Sequence, residues 1–172
     1  SSFVVSLLAC GGGEDDGGLN NEVPTGSYCD PTSDWPADVV DMERQLVILV
    51  NEQRAAGATC GGQARPAVDP LSTSPELMCA ARIHTLDMDD RGYFSHTTQG
   101  SGEEPWDRME MAGYSWAAAG ENIAGGGSTP EATMQQWMNS PGHCNNIMSA
   151  DYTEIGVGHV GSLWTQVFGR PR

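Results

Sequence analysis

Helical patterns occupy most of this chain, and two strand patterns follow them. The strand-like runs are Glu154 to Val160 and Leu163 to Phe168, and the Gly-Ser pair between them is typical of a turn. Helices that come first and antiparallel strands that come late indicate an α+β fold.

Four runs are predicted to be helices. A glycine follows each of the first three, and serine or threonine precedes the second and the fourth, as expected of helix ends. The predicted ranges are Ala37 to Ala56, Pro75 to Arg91, Pro105 to Ala112 and Pro130 to Asn139. The Gly- and Pro-rich stretch from Ala58 to Leu71 is predicted to be a loop.

The charge of the chain limits its partners. The net charge is −15 over 172 residues, and every cationic side chain is an arginine. Phosphate backbones and anionic membrane surfaces repel such a chain, so we expect no nucleic-acid partner. The length suits one domain, expected to be a monomer, with some unstructured chain to spare.

The chain begins with an apolar run that ends in cysteine, SSFVVSLLAC, which is typical of a bacterial lipoprotein signal peptide. The cysteine of such proteins is diacylated through its thiol and becomes the mature N-terminus after cleavage, and Cys10 is the candidate here. We therefore expect a signal-peptide remnant over residues 1–9, a lipid-anchored Gly-rich acidic linker over 10–33 and a domain over 34–172. The protein would be a bacterial outer membrane lipoprotein, or lie in the periplasm or at the cell surface, with membrane contact through the lipid alone. The alternative is an ordinary signal peptide with an incidental cysteine.

Four cysteines follow Cys10, and an even number in an exported domain predicts two disulfides. Three connectivities are possible from the count alone. The chain has no CxxC pair, so the spacing does not indicate a zinc site built from cysteines. The four are Cys29, Cys60, Cys79 and Cys144.

Four short motifs occur in order in the second half of the chain. They are FSH at 94–96, GENIAGGG at 120–127, SPGHC at 140–144 and LWTQVFG at 163–169. Together they resemble the bacterial branch of the CAP superfamily, the SCP-like fold of cysteine-rich secretory proteins, venom antigens and pathogenesis-related proteins. The resemblance covers about Trp35 to Gly169. It implies a three-layer α-β-α sandwich with a central, mostly antiparallel sheet, and disulfides Cys60–Cys144 and Cys29–Cys79.

The resemblance also implies a cleft formed by His96, Glu121 and His143. Two imidazoles and a carboxylate suit zinc or another divalent metal, so all three are candidate metal ligands. Eukaryotic members carry a second glutamate and a histidine where this chain has Ser140 and Leu163. The alternative is a hydrogen-bonded polar cluster that fastens the loops, with Glu121 accepting backbone N–H bonds from the glycine-rich loop.

Ser140 and Trp116 are further candidates for the cleft. Ser140 could act as a nucleophile with His143 as base, but the chain has no G-x-S-x-G elbow, and Ser140 also suits a helix end before Pro141. Trp116 could receive an apolar or sugar ligand, although core packing is the simpler role.

Two other histidines receive structural interpretations. His84 lies on the apolar side of the second predicted helix, so we expect it to be a core histidine with its hydrogen bonds satisfied. His159 lies in a late strand and is expected to be an exposed or edge residue.

Three functions remain open. The leading hypothesis is a binding module for a lipid, a glycan, a metal or a host or surface ligand at the His/Glu/His cleft. The second is a metal-dependent hydrolase of peptides or esters, with Glu121 as the catalytic base for a metal-bound water. The third is a structural or adhesive domain whose cleft is vestigial.

Overall fold

The structure is a computed structural model that describes residues 22–172. The expected signal-peptide remnant, Cys10 and the first part of the expected linker lie outside the described residues. The helices are α1 Ala37–Ala56, α2 Pro75–Arg91, α3 Pro105–Met111, α4 Pro130–Met138 and α5 Pro141–Ile147. The strands are β1 Ala58–Cys60, β2 Gln63–Arg65, β3 Ser72–Thr73, β4 Trp116–Gly125, β5 Glu154–Val160 and β6 Leu163–Pro171.

The helix ends agree with the capping signals of the sequence. The hydroxyl of Ser74 accepts a hydrogen bond from the N–H of Leu77 at the start of α2 (3.3 Å), and Thr129 caps α4 in the same way. Gly92 ends α2 with φ of +65°, a left-handed conformation that glycine adopts without steric cost. The predicted ranges of α1, α2 and β5 are confirmed, whereas α3 and α4 each end one residue earlier than predicted.

The main sheet has four strands in the order β3-β5-β6-β4. The β5–β6 hairpin and the β4–β6 pair are antiparallel, and the short β3 runs parallel to β5. The predicted antiparallel hairpin is therefore confirmed, and the sheet is mostly antiparallel. A second sheet, β1 with β2, lies in the stretch from Ala58 to Leu71 that was predicted to be a loop.

Helices cover both faces of the main sheet. Helix α2 packs on one face, and α1, α4 and α5 lie on the other. Helix α2 approaches β5 closely because Gly156 and Gly158 face it, and a Cβ at Gly156 would lie 2.1 Å from the carbonyl carbon of Leu77. The expected α+β fold with three layers is thus the one observed.

The two disulfides have the pairing that the resemblance implied. Cys29 is bonded to Cys79 of α2, and Cys60 of β1 is bonded to Cys144 of α5. Tyr28, beside Cys29, packs against the core under α2. The described end of the expected 10–33 linker therefore belongs to the folded domain.

Two further features differ from the sequence predictions. The GENIAGGG motif, expected to be a loop, lies largely in the edge strand β4, where Gly120 lets the hydroxyl of Tyr152 approach within 2.4 Å of where a Cβ would stand. His159, expected to be exposed or at an edge, is 4% exposed and stacks on Trp164. The reason is that α1 covers this part of β5, and the carboxylate of Glu43 on α1 accepts a hydrogen bond from the backbone N–H of His159 (3.0 Å). Within residues 22–172, no helix is both long and apolar enough to cross a membrane.

Candidate functional site

Glu121 lies in β4, and its carboxylate is buried between side chains from three other segments. Its Oε1 is 2.8 Å from Nδ1 of His96, and its Oε2 accepts a hydrogen bond from Nη2 of Arg108 (2.7 Å). Nε2 of His84 lies 3.9 Å from Oε1. The suggestion that Glu121 accepts backbone bonds from the glycine-rich loop is wrong, because its two oxygens are held by side chains of α3 and of the segment after α2.

His96 is the exposed end of this arrangement. Its side chain is 48% exposed, whereas that of Glu121 is 1% exposed. A carboxylate only accepts hydrogen bonds, so Nδ1 of His96 carries the hydrogen and donates it to Glu121. In the neutral imidazole, Nε2 therefore keeps its lone pair and can accept a hydrogen bond from a ligand.

Arg108 is the residue of this site that sequence reasoning missed. It lies in α3 and is 2% exposed, and its Nη1 donates to Thr98 Oγ1 (3.0 Å) and to the carbonyl of Glu103 (2.9 Å). Its charge compensates the buried carboxylate of Glu121. A buried carboxylate generally needs a cationic partner, but this rule does not tell which of the eight arginines in the sequence pairs with Glu121.

His143 lies near this pair without joining it. Its Nδ1 is buried and has no hydrogen-bond partner in the part of the chain that the structure describes. Burial lowers the pKa of His143, and a proton on His96 would lower it further, so the imidazole of His143 is neutral at pH 7. Its carbonyl accepts a hydrogen bond from Nδ2 of Asn122 (3.2 Å). The bond from Asn122 thus holds the backbone of His143 against β4.

Asn122 connects β4 to α5 and to β6. Its Nδ2 also donates to Gln166 of β6 (3.2 Å), and its Oδ1 accepts from Asn146 of α5 (2.9 Å). Asn146 in turn donates to the carbonyl of Glu121 (3.3 Å). These bonds fix α5, and with it His143, against β4.

Ser140 and Trp116 occupy structural positions. Ser140 directly precedes Pro141, the first residue of α5. The sequence placed Ser140 at the end of a helix, and the structure shows that it also stands at the start of the next one. Trp116 begins β4 and packs against the core under α2, with the guanidinium of Arg172 5.8 Å from its ring. Core packing is therefore the role that the contacts of Trp116 show.

The residues fit a three-ligand metal site poorly. Both oxygens of Glu121 are engaged, and the guanidinium of Arg108 places a positive charge beside the carboxylate. Over residues 22–172, no three His, Cys, Asp or Glu side chains are grouped as a metal ion requires. Zinc or another divalent metal thus stays a prediction. Glu121 is better described as the group that orients His96.

The fold, the disulfides and this site can be compared with known proteins. The family model described as the cysteine-rich secretory protein family, CAP, matches residues 47–168. This chain belongs to the CAP family.

Relatives of this CAP domain occur in several bacteria. The uncharacterised protein YkwD of Bacillus subtilis (strain 168) is 38% identical over 146 residues, which are 84% of this chain and 53% of YkwD. The chain thus spans about half of the length of that relative. An uncharacterised membrane protein of the same strain, YlbC, is 38% identical over 49% of this chain and 24% of its own.

Solved structures share the fold. An extracellular SCP-domain protein of Bacillus anthracis superposes with a TM-score of 0.68 at 31% identity, covering 76% of this chain and 40% of its own. An outer surface protein of Borrelia burgdorferi reaches a TM-score of 0.67 at 18% identity, covering 77% of this chain and 94% of its own. At 18% identity the second likeness concerns the fold alone.

The contacts among Arg108, Glu121 and His96 determine which interactions the imidazole of His96 can make. A buried guanidinium holds a buried carboxylate, and the carboxylate fixes the tautomer of an exposed imidazole. Such an imidazole can accept a hydrogen bond from a bound molecule, or accept a proton from it.

Proposed function

We propose that this CAP domain is an exported binding module whose ligand donates a hydrogen bond to Nε2 of His96. One observation carries the proposal: the exposed imidazole is fixed by a carboxylate that is itself 1% exposed and paired with buried Arg108. We call the set of His96, Glu121 and Arg108 the relay.

The relay is costly if stability is its only purpose. Desolvation of an ion pair costs several kcal/mol per charge, and apolar residues of similar volume often serve stability as well or better. A surface imidazole needs no buried partner to remain in water. The relay therefore supports a role in which the orientation and tautomer of His96 matter.

The lone pair on Nε2 selects the chemistry of the ligand. It accepts a hydrogen bond from a hydroxyl or an amide N–H, and glycans with acetamido groups offer both. The net charge of −15 disfavours anionic ligands such as acidic lipids. Among the ligand classes considered, a neutral glycan suits the relay best.

Hydrolysis is a second candidate, with a different base from the one expected. A carboxylate–imidazole pair is the arrangement that general bases use, so His96, rather than Glu121, would accept the proton of an attacking water. A Ser140–His143 pair suits hydrolysis less well, because His143 Nδ1 is buried and bonded to no hydroxyl among residues 22–172.

The proposal includes export of the protein and a lipid anchor on Cys10. The SCP-domain relative from Bacillus anthracis is described as extracellular, which supports export of this chain. The apolar run that ends in Cys10 supports a lipid anchor on that cysteine. Mass spectrometry of membrane-extracted protein should find two or three acyl chains there, and a mature form that begins elsewhere would refute the anchor.

The test of the binding site is a titration with an N-acetylglucosamine tetramer. The ¹⁵N resonance of His96 Nε2 should shift saturably, because formation of a hydrogen bond changes the shielding of that nitrogen. His96→Ala should weaken binding at least roughly tenfold, the effect of a well-placed polar group whose loss leaves a partner unpaired. Turnover of the tetramer or of a model ester would favour the hydrolytic role.

The control is Gln99→Ala, an exposed change in the same segment as His96. It should leave binding unchanged. Equal affinity of His96→Ala and the parent protein would refute the proposal. A large drop in melting temperature for His96→Ala without any glycan binding would instead show that the polar cluster only fastens the loops.

A further inference from the structure

A cavity of about 170 Å³ lies between the N-terminal segment, α2 and α3. Its wall includes Tyr28, Ile83, His84, Arg108 and Met111. It shares Arg108 with the relay, but neither His96 nor Glu121 lines it. An apolar cavity of about 150 Å³ in another protein is large enough for benzene, so this one can hold a molecule of similar size.

Three residues that line the cavity each carry a buried polar atom that has no hydrogen-bond partner among residues 22–172. These atoms are Tyr28 Oη, His84 Nδ1 and Arg108 Nε. His84 is 0% exposed and Arg108 is 2% exposed. Buried polar groups are nearly always paired, so three unpaired ones on one cavity indicate a missing partner. The expectation that His84 is fully satisfied is therefore wrong for Nδ1.

The hydrogen-bonding capacity of each atom follows from its other contacts. Nε2 of His84 is 2.9 Å from the carbonyl of Ser95, which only accepts, so Nε2 carries the hydrogen and Nδ1 accepts. Burial lowers the pKa of His84, which keeps this ring neutral. Arg108 Nε only donates. Burial raises the pKa of Tyr28 to about 12, so its hydroxyl keeps its proton and can donate or accept.

The charges around the cavity disfavour an anionic occupant. Arg108 is paired with Glu121, so its charge is already compensated. Asp87 and Glu103 also belong to the wall and add negative charge. Carboxylates and phosphates would therefore be repelled, while a neutral molecule would not.

We propose that this cavity is a second binding site, for a small uncharged molecule with an apolar body and a hydroxyl group. One hydroxyl accepts a hydrogen bond from Arg108 Nε and donates one to His84 Nδ1, and Tyr28 completes the set. The apolar body contacts Ile83 and Met111. A single water could bond to all three atoms, but it fills only about 30 Å³ of the cavity and leaves Ile83 and Met111 without an apolar contact.

Cyclohexanol is a suitable probe, since it combines an apolar ring with one hydroxyl. Its binding to the folded protein can be followed from the ¹³C methyl resonances of Ile83 and Met111. Both should shift saturably. Tyr28→Phe should weaken binding roughly 2- to 10-fold, as expected for the loss of one hydrogen bond. Met111→Trp, a change at an exposed position, should block entry and abolish the shifts.

A charged analogue of cyclohexanol and a variant of His96 serve as controls for this binding test. Cyclohexanecarboxylate should bind much more weakly, and equal or tighter binding would overturn the proposed ligand class. His96→Ala should bind cyclohexanol as the parent protein does, which separates this site from the glycan site. If the shifts do not saturate up to the solubility limit of cyclohexanol, the cavity holds ordered water instead, and the proposal is overturned.

Discussion

Glu43 is a buried carboxylate that joins four parts of the molecule. It lies on α1, and its Oε2 accepts hydrogen bonds from Nη2 (2.6 Å) and Nε (3.0 Å) of Arg82 on α2. Its Oε1 accepts from Nε1 of Trp35 (2.9 Å) and from the backbone N–H of His159 in β5 (3.0 Å). One side chain thus connects the segment before α1, both long helices and the sheet.

We expect Glu43→Gln to destabilise the protein by about 3 to 5 kcal/mol, because it leaves the guanidinium of Arg82 buried without a counter-charge. Urea unfolding at pH 7 measures this loss. The control is Asp41→Asn on the same helix, which breaks the exposed Asp41–Arg44 pair (3.6 Å) and should cost no more than about 1 kcal/mol. Similar losses for the two variants would contradict this prediction.

The burial of Glu43 could be predicted in part from the sequence. It falls on the same side of α1 as Val39 and Leu46 at helical spacing, so its burial is consistent with the pattern. Its partner could not be predicted, because Arg82 is 39 residues away and only the packing of α1 and α2 on opposite faces of β5 brings them together.

Among the elements, the contact between α2 and β5 depends most on side-chain size. Gly156→Ala would place a Cβ 2.1 Å from backbone atoms of α2, and backbone cannot move aside as a flexible side chain can. We expect a loss of about 3 kcal/mol or more, at the upper end for overpacked cores, or failure to fold. Urea unfolding and the yield of soluble protein measure it.

The matched control is Gly142→Ala in α5, where no atom lies within 4 Å of the new Cβ. Alanine loses less backbone entropy than glycine in a helix, so this variant should gain about 0.4 to 1 kcal/mol. A loss below about 1 kcal/mol for Gly156→Ala would mean that α2 can shift away from the sheet.

The elements that the sequence predicted share one property: their signals are local. Helices α1 and α2 have a helical period with caps, and β5 and β6 have a turn between them. Strand β4 was missed because its glycines, such as Gly120, indicate a loop unless one knows that Tyr152 approaches it. Helix α5 was missed because it begins directly after α4, at Pro141.

For the molecule as a whole, two disulfides connect distant parts of the chain. Cys60–Cys144 closes a sequence separation of 84 residues and Cys29–Cys79 one of 50 residues. Replacement of either pair by alanine should cost about 4 kcal/mol, because loop-closure entropy grows only with the logarithm of loop length. Denaturant unfolding of the two double variants measures both losses.

Each double variant is the control for the other. Losses within about 1 kcal/mol of each other fit chain entropy as the main contribution. A difference above about 2 kcal/mol would show that native contacts made by one bond dominate instead. The Cys29 variant should also release the segment that carries Tyr28, and so weaken cyclohexanol binding.

The sequence alone determined the fold class, the extent of the main helices and the final hairpin, because these depend on periodicity and caps within a few residues. Its motifs also pointed to His96, Glu121 and His143. Only the tertiary structure decided what these residues do together: β4 places Glu121 against Arg108, and Asn122 of β4 holds the backbone of His143 in α5. The physical reason is that burial and ion pairing are settled between residues far apart in the chain, where no local pattern records which side chains will meet.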